Sequence, residues 1–159
     1  MRHVIVTALI AATLLGTGDL GHQATAESNP ANLYYAGSQE KANPGPCADY
    51  DWNGGAAEMR RAIRCVWARF EPGEGGAPKA ISVAECESGL DPDAYGNGNA
   101  GLFQHRVRYW PGRFERFITD NDLRSTWGLS LSVYSGRTNA IVTALMVRRS
   151  GSWSAWACG

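Results

Sequence analysis

Apolar side chains recur with a helical period in the middle of the chain. Between Ala56 and Phe70, Met59, Ile63, Val66, Trp67 and Phe70 follow one another at spacings of four, three, one and three, while Arg60, Arg61, Arg64 and Arg69 fall largely on the other side. The pattern predicts an amphipathic helix over 56–70, with the arginines read as a solvated face. Pro72-Gly73-Glu74-Gly75-Gly76 breaks it; Pro78 then opens a second helix from about Ala77 to Ser88, stopped by Gly89. Glu87 therefore falls in the last turn of a helix. Asp91-Pro92 and Gly96-Asn97-Gly98-Asn99 are turn signals that predict a small hairpin between Gly89 and Gln104. A third helix is expected near Trp110 to Ile118, with Pro111 in its first turn and Phe114, Phe117 and Ile118 facing inward. A fourth is expected from about Arg137 to Arg149, burying Ile141, Val142, Leu145 and Met146. The fold class that results is mostly α, a compact helical domain with a small β-like excursion directly after Glu87.

The flanks read differently. Arg2 and His3 precede an apolar run of 13 residues from Val4 to Gly16, and Ala24-Thr25-Ala26 follows, which predicts a signal peptide over 1–26. The run is too short for a membrane span, which takes about 20 residues. Residues 27–55 are rich in Asn, Pro, Gly and Ser and read as an irregular leader, leaving 56–159 as the folded domain. A length of 159 residues suits one domain, and a hydrophobic content of 44% excludes a disordered chain. With 15 basic and 15 acidic residues the formal charge is zero, so no nucleic-acid partner is expected. Export of a soluble monomer is the reading that follows.

Export decides how the cysteines are read. Cys47, Cys65, Cys86 and Cys158 all lie after the signal peptide, an even number bound for an oxidising compartment. Three pairings exist. Cys47 with Cys65 and Cys86 with Cys158 is favoured, because each bridge then ties down one end of the chain. No metal is expected, since there is no C-x-x-C and His105 is the only histidine beyond residue 26.

That single histidine and the lack of a G-x-S-x-G elbow weigh against a hydrolase triad. Gly96-Asn97-Gly98-Asn99-Ala100-Gly101 matches a dinucleotide fingerprint in letters, but it follows a helix and opens no βαβ unit, so it reads as a turn. A carboxylate remains. Glu87 follows Ile81, Val83, Ala84 and Cys86 and precedes a turn-rich segment. Desolvation in such a setting would raise its pKa and keep a carboxylic acid able to donate a proton, as glycosidic cleavage requires.

Ala84-Glu85-Cys86-Glu87-Ser88-Gly89-Leu90-Asp91-Pro92-Asp93-Ala94, followed by Gly101-Leu102-Phe103-Gln104-His105, resembles the E-S-G-x-x-P-x-A and G-L-x-Q motifs of the lysozyme-like soluble lytic transglycosylases, relatives of goose-type lysozymes. Trp110-Pro111-Gly112-Arg113, Asn139-Ala140-Ile141 and the stretch Trp153 to Gly159 resemble small secreted members, so the likeness runs from about Ala57 onward. The resemblance implies a lysozyme-like α+β fold and cleavage of the bond between N-acetylmuramic acid and N-acetylglucosamine in peptidoglycan glycan strands, without a cofactor. It implies Glu87 as the catalytic acid. Ser88 stands where the motif orients glutamate or substrate, with a helix-end polar cap as the equal alternative. Gln104 would line the sugar cleft, and Gly101 would let the backbone approach closely. Phe103 is open between core and cleft, His105 between a cleft donor and a structural histidine. Asn139 resembles an asparagine on the helix opposite the glutamate.

The A-Y-N-A-G segment of larger members is missing; Gly151-Ser152-Trp153-Ser154-Ala155-Trp156 stands there instead, and Tyr134, Tyr109 or Trp153 would have to replace its tyrosine. Mechanism turns on a second carboxylate. A hydrolase of either stereochemistry uses two acids, for which Asp91, Asp93, Asp120 and Asp122 are the candidates, Asp91 and Asp93 reading first as turn residues. A transglycosylase needs one acid only. The competing readings are a muramidase acting on the same bond, a sugar-binding module without chemistry, and a small disulfide-stapled interaction protein.

Overall fold

A computed structural model describes residues 45–159. The expected signal peptide and most of the expected leader lie outside the described residues. The elements run α1 (Ala56–Phe70), α2 (Gly76–Ser88), β1 (Tyr95–Gly96), β2 (Asn99–Ala100), β3 (His105–Arg106), a 3-10 turn (Val107–Tyr109), α3 (Trp110–Phe114), a π turn (Glu115–Thr119), α4 (Leu123–Trp127) and α5 (Gly136–Ser150). The domain is mostly helical, with one small antiparallel sheet set between helices. Among the described residues no helix is long and apolar enough to cross a membrane.

α1 spans the predicted limits and buries the predicted face: Met59, Ala62, Ile63, Val66, Trp67 and Phe70 are inside. Removing such a side chain from water is worth about 1.5–3 kcal/mol each, enough to fix the helix against its neighbours. Those neighbours are α2 and α5. α5 departs from the amphipathic expectation. It is the central helix, buried from Gly136 to Leu145 and again at Val147. Its polar residues Arg137, Thr138, Asn139 and Thr143 are interior as well, and interior polar groups persist only where they find partners. Ser135 caps the helix by accepting the Thr138 N–H at 3.3 Å.

Three further differences from the sequence expectation have local causes. The hairpin gains a third strand: Tyr95 pairs with Ala100, and Ala100 also pairs with His105. The third helix does not continue to Ile118; it passes into a π turn, closed where Asp120 N–H donates to the Glu115 carbonyl at 2.9 Å. α4, five residues long, was too short to leave a helical period in the sequence. The packed body also begins before Ala56. Cys47 and Trp52 belong to the core, Trp52 Nε1 donates to the Cys47 carbonyl at 2.9 Å, and Arg137 Nε donates to the Pro46 carbonyl at 3.1 Å.

Both expected bridges are present, Cys47–Cys65 and Cys86–Cys158. The first fastens the entry segment to α1. The second fastens the 153–159 segment to the end of α2. That segment is also docked by its rings: Trp153 stacks on Trp67 at 5.8 Å between centroids, and Trp156 meets Trp153 at 5.3 Å. Trp156 Nε1 donates to the Phe103 carbonyl at 2.8 Å. Two disulfides suit an oxidising compartment.

Candidate functional site

Glu87 stands one residue before the end of α2, and the way that helix stops determines what surrounds it. Gly89 takes the left-handed conformation (φ 68°, ψ 22°), its N–H donating to the Glu85 carbonyl at 2.9 Å, and Leu90 N–H closes on the Ala84 carbonyl at 3.3 Å. These two bonds close the helix at a left-handed glycine. Leu90 itself is left-handed (φ 66°) and buried. A leucine there is strained by roughly 1–3 kcal/mol, held because its side chain is anchored in the core. The chain therefore turns back sharply below the glutamate.

The loop that follows is joined to α2 through Ser88 and bonded to itself. Ser88 Oγ lies 2.7 Å from the Leu102 carbonyl and 3.0 Å from that of Ala84, so its hydroxyl joins the helix end to the loop. Gln104, also left-handed (φ 45°), donates through Nε2 to the carbonyls of Ala94 and Gly101, both at 3.0 Å. Asp91 Oδ1 accepts the Asp93 N–H at 2.8 Å, the turn role expected of it. Gly101 (φ 79°) is required twice over, because an added Cβ would lie 2.3 Å from both Asn139 Nδ2 and the Val133 carbonyl oxygen.

Asn139 closes the arrangement from α5. Its Oδ1 accepts the Phe103 N–H at 2.9 Å and its Nδ2 donates to the Val133 carbonyl at 2.8 Å. Phe103, His105 and Asn139 have no exposed surface. Of the alternatives left open for Phe103 and His105, the structure places both inside: Phe103 stacks on Trp67 at 5.6 Å, and His105 and Asn139 hold the loop from behind. Gly101 is likewise buried, whereas Gln104 and Ser88 are half-exposed beside Glu87's helix end.

His105 sits in a directed chain of hydrogen bonds. Thr143 Oγ1 donates to the Asn139 carbonyl at 2.9 Å, which leaves it free to accept from His105 Nε2 at 2.8 Å. Arg113 donates to His105 Nδ1 at 2.6 Å. Both ends of the chain assign the neutral Nε2–H tautomer. Burial, and then the Arg113 charge, hold the imidazole well below its ordinary pKa of 6.5, opposed by the Asn139 backbone. Burial lowers the Arg113 pKa as well.

Glu87 is half-buried, less enclosed than its apolar predecessors suggest. Its Oε1 accepts the backbone N–H of Cys158 at 3.1 Å. Sequence reasoning assigned no role to residue 158 at this carboxylate. The signal was nonetheless present, since a bridge from Cys86, the neighbour of Glu87, must bring residue 158 alongside. Asp120 and Asp122 belong to the turn between the π segment and α4, and Asp122 Oδ1 lies 3.5 Å from Ser125 Oγ. Tyr134 is buried, Tyr109 is half-exposed, and Trp153 is buried with its Nε1 on the Glu74 carbonyl at 2.9 Å.

The larger of two described clefts, about 580 Å³, lies elsewhere, between the α3 and π-turn region, the end of α5 and residues 154–156. Glu87 is not in its wall, although Trp156 is. Among the described residues no group of three His, Cys, Asp or Glu side chains is placed to hold a metal ion. Comparison with protein-family models, with curated proteins and with solved structures returns no match.

Proposed function

We propose that the chain is a secreted peptidoglycan lytic transglycosylase, cleaving the β-1,4 bond between N-acetylmuramic acid and N-acetylglucosamine with Glu87 as its single acid and base. The observation that carries this reading is the setting of Glu87: a half-exposed carboxylate at a helix end, one oxygen held by the Cys158 N–H, followed in the chain by a strained and internally bonded loop. The motif likeness of residues 84–94 and 101–105 names the substrate. The order of steps follows from one carboxyl group. Glu87 gives its proton to the glycosidic oxygen as the bond from muramyl C1 to that oxygen breaks, freeing the 4-hydroxyl of N-acetylglucosamine. The carboxylate then takes the proton of the muramyl 6-hydroxyl while O6 bonds to C1, closing a 1,6-anhydro ring and restoring the acid.

Ser88 serves by fixing the loop against α2 and Gln104 by closing the loop on itself, with Phe103, His105 and Asn139 bracing it from the core. The single-acid route, in preference to two-acid hydrolysis, is favoured by Asp91, whose Oδ1 is engaged in its own turn. Mass spectrometry of fragments released from peptidoglycan tests the reading, with Glu87→Gln as the control. Fragments ending in 1,6-anhydro-muramic acid, lighter by one water than reducing ends and absent with Glu87→Gln, are expected. Reducing ends would replace the route by hydrolysis, and no release by the wild type would leave a binding module.

A further inference from the structure

The 580 Å³ cleft has a composition that the glycosidic reading does not use. Arg113, Arg116 and Arg149 line it, with no aspartate or glutamate in the wall. Among the described residues the ion pairs are Arg60 with Glu85 and Arg61 with Glu58, so the cleft's guanidiniums have no carboxylate partner there. An adjoining cleft of about 230 Å³ shares Arg116, Phe117 and Arg149 and adds Arg148. Cations at the end of α5 have a local reason, since they complement the helix dipole. Arg113 and Arg116 converge on the same space from the last turns of α3 and the π turn, so cations from three segments meet in one cleft.

Three aromatic side chains share the wall with small residues and Met146. Tyr109 is 50% exposed at the cleft, one of two large apolar side chains left so open, with the Arg108 guanidinium 4.6 Å from its ring centre. Phe117 and the edge of Trp156 continue the surface. The π turn, a backbone form uncommon in general and frequent at functional sites, is what carries Arg116 and Phe117 to this wall. Arg113 is already oriented, one guanidinium nitrogen fixed on His105. Forked cations bind oxyanions bidentately, and an open aromatic face suits the apolar face of a sugar ring.

We propose that this cleft binds an acidic saccharide, a sugar chain bearing carboxylate or phosphate groups, with Arg113, Arg116 and Arg149 on the oxyanions and Tyr109 under a ring. The proposal makes no use of Glu87 and stands apart from the glycosidic reading.

Calorimetric titration of the full chain tests it with hexagalacturonate as the carboxylate arm, a phosphorylated maltohexaose as the phosphate arm, and neutral maltohexaose and inorganic tripolyphosphate as controls. None contains the bond assigned to Glu87, so turnover does not enter. Saturable binding of either acidic sugar is expected, and the tighter one names the anion. Arg116→Gln/Arg149→Gln should weaken it roughly tenfold or more, and Tyr109→Ala measurably, with melting temperatures of the variants showing that the fold is kept. Failure of both acidic sugars to bind, an unchanged affinity in the double variant, or neutral maltohexaose binding as tightly would overturn the proposal. So would tripolyphosphate binding as tightly as the sugars with Tyr109→Ala without effect.

Discussion

Acid should destabilise this fold through His105. The imidazole is wholly buried and held neutral, its pKa well below 6.5. In the unfolded chain it takes up a proton as pH falls past about 6.5, while the folded chain refuses it. The unfolded state then binds more protons, so stability is full above 6.5 and declines as pH falls toward the folded pKa. The slope is about 1.4 kcal/mol per pH unit, up to about 2 kcal/mol by pH 5, or roughly 8 °C in Tm for a domain of this size. Carboxylates add slopes of their own, so the informative quantity is the difference between wild type and His105→Gln. A glutamine keeps a donor for Thr143 and an acceptor for Arg113. It forfeits the ring contacts to Trp110 at 5.0 Å and Trp156 at 5.9 Å, which lowers stability at every pH alike. Urea unfolding at pH 7.5, 6.5, 5.75 and 5 should show the two curves converging as pH falls. Parallel curves would refute the account, because they would mean that the buried imidazole accepts its proton as readily folded as unfolded.

Gly101→Ala should cost roughly 3 kcal/mol or more, since the new Cβ meets Asn139 and Val133, whereas Gly73→Ala, at φ 78° with nothing within 4 Å, should cost about 1 kcal/mol; equal losses in denaturant melts would remove the clash from the explanation. Opening Cys47–Cys65 by double alanine substitution should cost about 3 kcal/mol and opening Cys86–Cys158 about 4.4 kcal/mol, as their separations of 18 and 72 residues set the loop entropy; a reversed order in chemical unfolding would contradict that account. Cys86→Ala/Cys158→Pro lacks the N–H that Cys86→Ala/Cys158→Ala retains, and both lack the bridge. On the proposed function its kcat should be roughly tenfold lower at similar KM, the value of a hydrogen bond to a charged group, and equal turnover would deny the Cys158 N–H its part.

The elements that depend on local pattern were legible in the sequence: α1 to the residue, α2 and α5 to within a residue, and the turn at Asp91. The observed bridges are the pairing the sequence favours, each tying down one flank. The π turn was not legible, because Glu115–Thr119 carries the same residue types as a continuing helix. The full enclosure of α5 was hidden for a related reason. Arg137, Asn139 and Thr143 look like a solvent face until their partners on distant segments are known. Glu87 could be singled out by motif and helix-end position, but its hydrogen-bond donor is a backbone group, which no side-chain code announces.

The distance along the chain between Glu87 and that donor, 71 residues, gives the site an order of assembly. α2 and its glutamate can form as soon as α1 is present to pack against. The N–H that steadies the carboxylate arrives only when residue 158 has been made, Trp153 and Trp156 have docked, and Cys86 and Cys158 have been oxidised together. In a reducing compartment that last event does not occur. A chain kept reduced would therefore carry its glutamate without the covalent tether that holds residue 158 beside it. On the proposed function, completion of the site is thereby coupled to an oxidising compartment, where the two cysteines can join.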